Sequence, residues 1–166
     1  MTLIQQHHDK RVQNKREHGF TLIEIMTVTT ILGIVSAFAV PNLQGAKISS
    51  NESGVVGSLR SLGTSSELWR TRYGTYPGAF GGDGLAIMSD PAVQPAPFVD
   101  NILGSGQKSS YLFVYAGAPT AWSCTATPMD AGAGFRSFFI DETGLIRVET
   151  DFVTNGAATA AHPALN

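Results

Sequence analysis

Residues 15–41, "KREHGFTLIEIMTVTTILGIVSAFAVP", decide the fold of this chain. Their apolar run extends from Phe20 to Val40 and contains one charged residue, Glu24. At about 1.5 Å per residue the run makes roughly 30 Å of helix, which matches the hydrocarbon core of a bilayer. It is longer than the apolar region of an ordinary secretory signal, and no A-x-A-like site follows it. The sequence therefore predicts a membrane span with a carboxylate inside it.

The charge distribution predicts how this span is oriented. Four of the 11 basic residues of the chain precede it, namely Lys10, Arg11, Lys15 and Arg16. The positive-inside rule then leaves the N-terminus in the cytoplasm and everything after Pro41 outside. The chain beyond the span is mildly acidic and carries no basic patch, so we do not expect nucleic acid as a partner.

The residues around the start of the span resemble a known processing site. Gly19, Phe20, Thr21, Leu22, Ile23 and Glu24 follow a basic leader in this order. They resemble the cleavage and methylation motif of type IV prepilins and type II secretion pseudopilins, and the resemblance covers roughly residues 10–73. In that family a membrane aspartic peptidase cuts after the glycine and methylates the new N-terminus. The resemblance implies a cleaved leader at 1–19 and N-methylation of Phe20.

The resemblance also gives Glu24 a role. An unpaired carboxylate at mid-membrane costs about 2.5–3.5 kcal/mol on insertion scales. After cleavage the amine of Phe20 is a cation, and in the family this carboxylate meets the amine of a neighbouring subunit as a filament grows. We therefore expect Glu24 to direct subunit assembly. The alternative is a glutamate that reaches the membrane interface and has no partner.

Pro41 ends the apolar run, and the resemblance implies that the helix continues through a kink at this proline. Residues 20–41 would form its transmembrane and assembly half. Beyond Pro41 apolar residues recur at a spacing of three and four, which is typical of an amphipathic helix. They are Ile48, Val55, Leu59, Leu62, Trp69 and Tyr73. We predict one helix from about Phe20 to Tyr73, in which Glu52 and Ser66 interrupt the apolar stripe and Gly74 forms the C-cap.

The rest of the chain supplies strands to cover that stripe. "SYLFVYAGA" at 110–118 alternates apolar faces, and "FRSFFID" and "GLIRVET" flank a turn at Asp141–Gly144. We predict an α+β, pilin-like head at 42–153, with the long helix packed on about three antiparallel strands. Residues 77–108, with a short helical turn near Leu85–Met88, and 117–134 are interpreted as loops. Residues 154–166 are interpreted as a flexible tail.

The chain carries no pattern that predicts catalysis or a cofactor. "GSGQKSS" at 104–110 precedes a strand, so it does not fit a phosphate-binding loop. His7, His8 and His18 lie in the leader, and His162 stands alone in the tail. We expect Trp69 and Tyr73 to lie in the core and Tyr76 to pack at the helix exit. The alternative is that these three residues and Trp122 form an exposed platform for stacking with DNA.

The acidic residues near the C-terminus could form either a metal site or a solvated hairpin turn. Secretion pseudopilins of the major type bind calcium near the C-terminus, and Asp141, Glu142, Glu149 and Asp151 could supply oxygens. Their pattern does not match the family's, so we predict no metal site. The single cysteine, Cys124, excludes the intramolecular disulfide of many major pilins, so its loop must be held by packing or by a metal.

These observations predict a structural filament subunit and not an enzyme. The resemblance implies that prepilin peptidase, other pilin or pseudopilin subunits and an inner-membrane assembly platform are its partners. The mature chain would span the inner membrane once and then enter a pilus or a secretion pseudopilus. A DNA-uptake system also remains open. The alternative from another class is an uncleaved, membrane-anchored extracytoplasmic binding module.

Overall fold

The computed structural model describes residues 19–79, 81–93, 96–150 and 157–165. The chain forms two compact units, Met1–Ala39 and Val40–Asn166. The leader, with its basic residues and histidines, and Asp151 lie outside the described residues, so the predictions on them stay predictions.

Helix α1, Leu22–Tyr73, is the longest element and contains 52 residues. Its ends confirm the predicted helix to within two residues. The backbone of Gly74 adopts a φ of +79° and its N–H donates to the carbonyl of Arg70 at 2.7 Å. A residue without a Cβ adopts this left-handed conformation without steric cost, which is why the helix ends here.

The remaining elements follow α1 in a simple order. They are α2 (Gly84–Ser89), α3 (Asn101–Gly104), β1 (Gln107–Lys108), β2 (Tyr111–Gly117), β3 (Trp122–Pro128), β4 (Ser137–Asp141) and β5 (Arg147–Glu149). The five strands form one antiparallel sheet in the order β1-β2-β3-β4-β5. The α+β class is therefore confirmed, as is the short helical turn near Leu85–Met88, whereas the predicted number of three strands is too small.

Strand β3 corrects the prediction that residues 117–134 are a loop. Its sequence, WSCTATP, is mostly small and polar, with Pro119 shortly before it and Pro128 as its last residue, so its composition is typical of a loop. The alternation is nevertheless present, because Trp122, Cys124 and Ala126 are buried while the residues between them are half-buried. Pro128 ends the strand, where its missing N–H interrupts little of the ladder.

The core lies between one face of α1 and the inner face of the sheet. The apolar stripe of the helix contributes Val55, Leu59 and Leu62, each fully buried. The sheet contributes a row that crosses four strands in register, made of Phe113, Ala126, Phe138 and Val148. The predicted alternation of β2 is confirmed, since Tyr111 and Phe113 are buried whereas Leu112 and Val114 are exposed.

The two polar interruptions of the helix stripe are buried and have partners. Glu52 is 5% exposed and accepts from the guanidinium of Arg136, with Nε at 2.7 Å. It also accepts from the N–H of Phe135 at 3.3 Å, so it fastens the β3–β4 loop to α1. The hydroxyl of Ser66 lies 3.3 Å from that of Tyr115. A buried charge is tolerated because it is paired and hydrogen-bonded in this way.

The described part of the C-terminal segment, 157–165, lies along β5. The N–H of Leu165 donates to the carbonyl of Ile146 at 2.6 Å, and the N–H of Val148 donates to that of Pro163 at 3.0 Å. These bonds satisfy backbone groups at an edge of the sheet that would otherwise be open.

Two glycines of α1 have different surroundings, and this difference predicts opposite effects of alanine. A Cβ at Gly57 would meet nothing within 4 Å, whereas one at Gly54 would lie 2.9 Å from Oγ of Ser109. Alanine in a helix interior is about 0.8–1.0 kcal/mol more favourable than glycine. We expect Gly57→Ala to raise the free energy of unfolding by up to about 1 kcal/mol and Gly54→Ala to raise it less or lower it. Denaturant unfolding of both variants beside the wild type measures this, and equal gains would contradict it.

Candidate functional site

The bond between Gly19 and Phe20 lies immediately before α1. Both residues are exposed, Phe20 to 84%, and neither belongs to a helix or strand. A Cβ at Gly19 would meet no atom within 4 Å. A protease needs a peptide bond that is accessible and lies in an extended segment. The rest of the described chain does not block access to the bond between Gly19 and Phe20.

Thr21 and Glu24 form a reciprocal cap at the start of α1. The N–H of Thr21 donates to Oε2 of Glu24 at 2.8 Å, and its hydroxyl donates to the same oxygen at 2.7 Å. The N–H of Glu24 in turn lies 3.3 Å from Oγ1 of Thr21, which accepts. This is the capping box T-x-x-E, in which two orphan donors of the first helical turn are satisfied.

The capping box gives Glu24 a partner within its own chain. Within the described residues, both hydrogen bonds to this carboxylate go to Oε2. A carboxylate offers about four acceptor sites, so Oε1 can still accept from a cation brought by another molecule. The sequence interpretation missed this cap, although the signal was present, since threonine and glutamate stand three residues apart before an apolar run.

Three further threonines in the apolar segment bond to the backbone of their own helix. The hydroxyl of Thr27 donates to the carbonyl of Glu24 at 2.9 Å, and that of Thr30 donates to the carbonyl of Met26 at 2.8 Å. Thr29 donates to the preceding turn in the same way. A hydroxyl satisfied within the helix adds little cost when the helix is surrounded by hydrocarbon.

The N-terminal part of α1 has its apolar side chains uncovered. Among the described residues, α1 is the one helix long and apolar enough to cross a membrane, and the apolar window near its N-terminus is wholly unburied. Ile31 is 60% exposed and Phe38 is 71% exposed. The helix continues through Pro41, as expected, while a kink at this residue stays a prediction.

Of the residues considered for calcium, the three that the structure describes, Asp141, Glu142 and Glu149, do not come together as a site. Asp141 accepts from the N–H of Thr143 at 3.0 Å and holds the β4–β5 turn. Glu149 pairs with His162, whose Nε2 lies 2.7 Å from Oε2, so the prediction that His162 stands alone is wrong. Within the described residues no three histidine, cysteine, aspartate or glutamate side chains cluster as metal ligands.

Cys124 lies in the core and not in a loop. Its side chain is fully buried in β3, and burial raises the pKa of its thiol to about 12. The thiol therefore stays protonated and unreactive at neutral pH.

The aromatic side chains at the helix exit are mostly buried. Trp69 and Trp122 lie in the core, and the hydroxyl of Tyr76 donates to Oε1 of Glu67 at 2.8 Å. Burial and this bond raise the pKa of Tyr76. Tyr73 is 45% exposed, so its predicted place in the core is wrong. With both tryptophans buried, these residues do not form a stacking platform.

Comparison with known proteins finds a family model and several relatives that match part of this chain. Residues 14–40 match the family model "Prokaryotic N-terminal methylation motif". The chain is 37% identical over 83 residues to "Type II secretion system core protein G" of Pectobacterium carotovorum subsp. carotovorum, which covers 49% of this chain and 52% of that protein. It is 37% identical over 82 residues to the protein of the same name from Klebsiella pneumoniae, covering 49% and 57%.

The similarity extends over part of each relative. The Aeromonas hydrophila protein of the same name is 33% identical over 87 residues, covering 52% of this chain and 59% of that protein. The chain thus spans about half the length of the curated relatives it matches. The matched motif includes Gly19, Phe20 and Glu24, and the aligned length exceeds the motif about threefold. The chain therefore carries a prokaryotic N-terminal methylation motif and is similar, over about half of its length, to type II secretion system core proteins G.

Proposed function

We propose that this chain is a structural subunit of a type II secretion pseudopilus, not an enzyme. The observation that carries the proposal is the uncovered apolar part of α1. A surface of this size is not stable in water and needs lipid or other copies of the helix to cover it. A filament subunit uses both, since the helix lies in the membrane before assembly and among neighbouring helices afterwards.

Maturation would proceed at the exposed bond between Gly19 and Phe20. Prepilin peptidase would remove the leader and methylate the new amine of Phe20. The leader would stay in the cytoplasm and the head would fold outside the inner membrane, in agreement with the basic residues before the span. An inner-membrane assembly platform would then add the mature chain to the filament.

Glu24 would act in both states of the subunit. In the membrane its carboxylate closes the capping box with Thr21, which lowers the cost of placing it near hydrocarbon. In the filament it would also face the amine of Phe20 of a neighbouring copy, which sets the register between the two helices. The names of the relatives, each a type II secretion system core protein G, favour a secretion pseudopilus over a pilus or a DNA-uptake system.

Replacing Gly19 tests the processing step. We expect Gly19→Val to be inserted in the membrane but not cleaved, because the branched side chain enters a cleft that accepts glycine. We do not expect the substitution to disturb the described part of the chain, since a Cβ at position 19 meets nothing within 4 Å there. Mass spectrometry of the membrane-extracted chain measures the N-terminus, with a methylated Phe20 expected for the wild type.

Gly33→Val is the matched control. Gly33 lies in the same apolar helix and a Cβ there also meets nothing within 4 Å. This variant should be cleaved and methylated like the wild type. A wild-type chain that keeps its leader would reject the proposal in favour of an uncleaved, membrane-anchored binding module, and normal cleavage of Gly19→Val would reject the role of Gly19.

A further inference from the structure

A groove on the head lies beside α1, next to the β4–β5 hairpin. Its volume is about 530 Å³, and Trp122 and Ile140 form its apolar floor. The absence of a side chain at Gly63 leaves space in the groove, because a Cβ at this position would lie 3.4 Å from Cδ1 of Ile140. Leu68 also lines the groove and is 55% exposed. The groove therefore offers an apolar surface large enough for one aliphatic side chain and its neighbours.

The charged side chains that line this groove are mainly acidic. They are the carboxylates of Glu67, Asp141 and Glu142 and the guanidinium of Arg60. Glu67 and Asp141 are held in place by hydrogen bonds to Tyr76 and Thr143, whereas Glu142 is exposed. Three carboxylates beside one guanidinium favour an occupant that brings an aliphatic side chain and a cation together.

Such a pair exists on α1 of the same protein. Leu43 is 72% exposed, and Lys47 is also exposed one helical turn later. Residues four apart lie on the same side of a helix, so the two side chains project together. We propose that Leu43 and Lys47 of a second copy dock into this groove, with Leu43 against the exposed Leu68 and Lys47 beside Glu142. This inference rests on the proposed function, because it concerns contacts between filament subunits.

The contact cannot form within one chain. The middle of the pair, near residue 45, and the middle of the groove, near residue 65, are separated by 20 residues of one helix, or about 30 Å. Two parallel copies joined by this contact are therefore shifted by about 30 Å along the helix axis. The pair and the groove are different surfaces, so the contact is heterologous and propagates from copy to copy.

Disulfide cross-linking in the full chain tests the contact. Leu43→Cys combined with Leu68→Cys should give a ladder of dimers and higher multimers when filaments on cells are oxidised with copper phenanthroline. Each single variant should give no ladder, because the contact joins two different surfaces. Cys124 does not interfere, since it is fully buried. The control pair is Leu43→Cys with Ile102→Cys, in which the second cysteine replaces a residue 63% exposed on α3, away from the groove.

A second pair of cysteine substitutions tests the same contact in case the first pair prevents filament assembly. Lys47→Cys with Glu142→Cys replaces two exposed side chains and should give the same ladder. In the Leu43–Leu68 cysteine background, Lys47→Glu should reduce the ladder and adding Glu142→Lys should restore it. Filaments that form but give no ladder with either pair would overturn the inference and leave the proposed function intact. An equal ladder from the control pair would also overturn the inference. Disulfide adducts between this chain and a protein of another mass would overturn it as well. Absence of filaments from the wild type would reject the proposed function itself.

Discussion

Leu62→Asp should unfold the head. Leu62 is fully buried in α1 against the sheet. An aspartate there loses the burial of an aliphatic side chain, which is worth about 1.5–3 kcal/mol. It also places a carboxylate in the core without a partner, at a cost of several kcal/mol. Domains of this size have a total stability of about 5–15 kcal/mol, so the sum removes most or all of it.

The measurement uses a fragment that begins at Ser49, which we expect to fold as a soluble monomer. The buried residues of α1 start at Glu52, so this fragment keeps every core position of the helix that the structure describes. Thermal unfolding should show one cooperative transition for the wild-type fragment and none for Leu62→Asp. Labelling of Cys124 gives a second readout, since its buried thiol should react in the variant and stay protected in the wild type.

Ser61→Asp is the control for added charge. Ser61 precedes Leu62 on the exposed side of the helix, so its variant adds the same carboxylate in water. Its melting temperature should stay close to that of the wild-type fragment. A Leu62→Asp fragment that melts cooperatively near the wild-type temperature would show that Leu62 does not contribute to the core.

The extent of α1 could be predicted because its signals are local. The apolar run, the spacing of Val55, Leu59 and Leu62, and the glycine at position 74 each act within one or two turns. Strand β3 was missed for the opposite reason. Its small residues pack only because Phe113 and Phe138 on the adjacent strands fill the space around Ala126, and this neighbourhood is set by pairing across the sheet.

Partners distant in sequence could not be inferred either. Glu52 looked like a defect in the apolar stripe, yet it is paired with Arg136, 84 residues away. Likewise Glu149 and His162 are joined only because the C-terminal segment returns along β5. The capping box of Thr21 and Glu24, in contrast, is a local signal, because a threonine and a glutamate three residues apart precede the apolar run.

Glu24→Ala should be inserted and cleaved normally but should assemble few or no filaments. Insertion and cleavage involve one chain and the peptidase, and neither needs a counter-charge for the carboxylate. Removing the charge makes the span slightly easier to insert. Assembly differs, because the amine of each incoming Phe20 leaves water beside a neighbour. Truncating one partner of a desolvated charge pair costs about 2–5 kcal/mol, which corresponds to roughly 30-fold or more per contact.

The capping box offers a second explanation of such a defect, and two variants separate the explanations. Glutamine also closes a capping box, so Glu24→Gln keeps an acceptor for the N–H of Thr21 and loses only the charge. Thr21→Val does the reverse, since it keeps the carboxylate and removes the side-chain half of the cap, at a cost of about 0.5–2 kcal/mol. If the counter-charge matters, Glu24→Gln should be as defective as Glu24→Ala and Thr21→Val clearly less so. If capping alone matters, Glu24→Gln should assemble almost normally.

Filament counts by electron microscopy, beside an immunoblot for mature protein in the membrane, measure this result. The immunoblot is needed because a variant that is not matured would also lack filaments, and it must show equal mature protein in all four strains. Normal filament numbers from both Glu24 variants would mean that the carboxylate serves no partner in the filament. Glu24 would then be a tolerated charge whose carboxylate accepts hydrogen bonds from the N-cap residue Thr21 of its own chain.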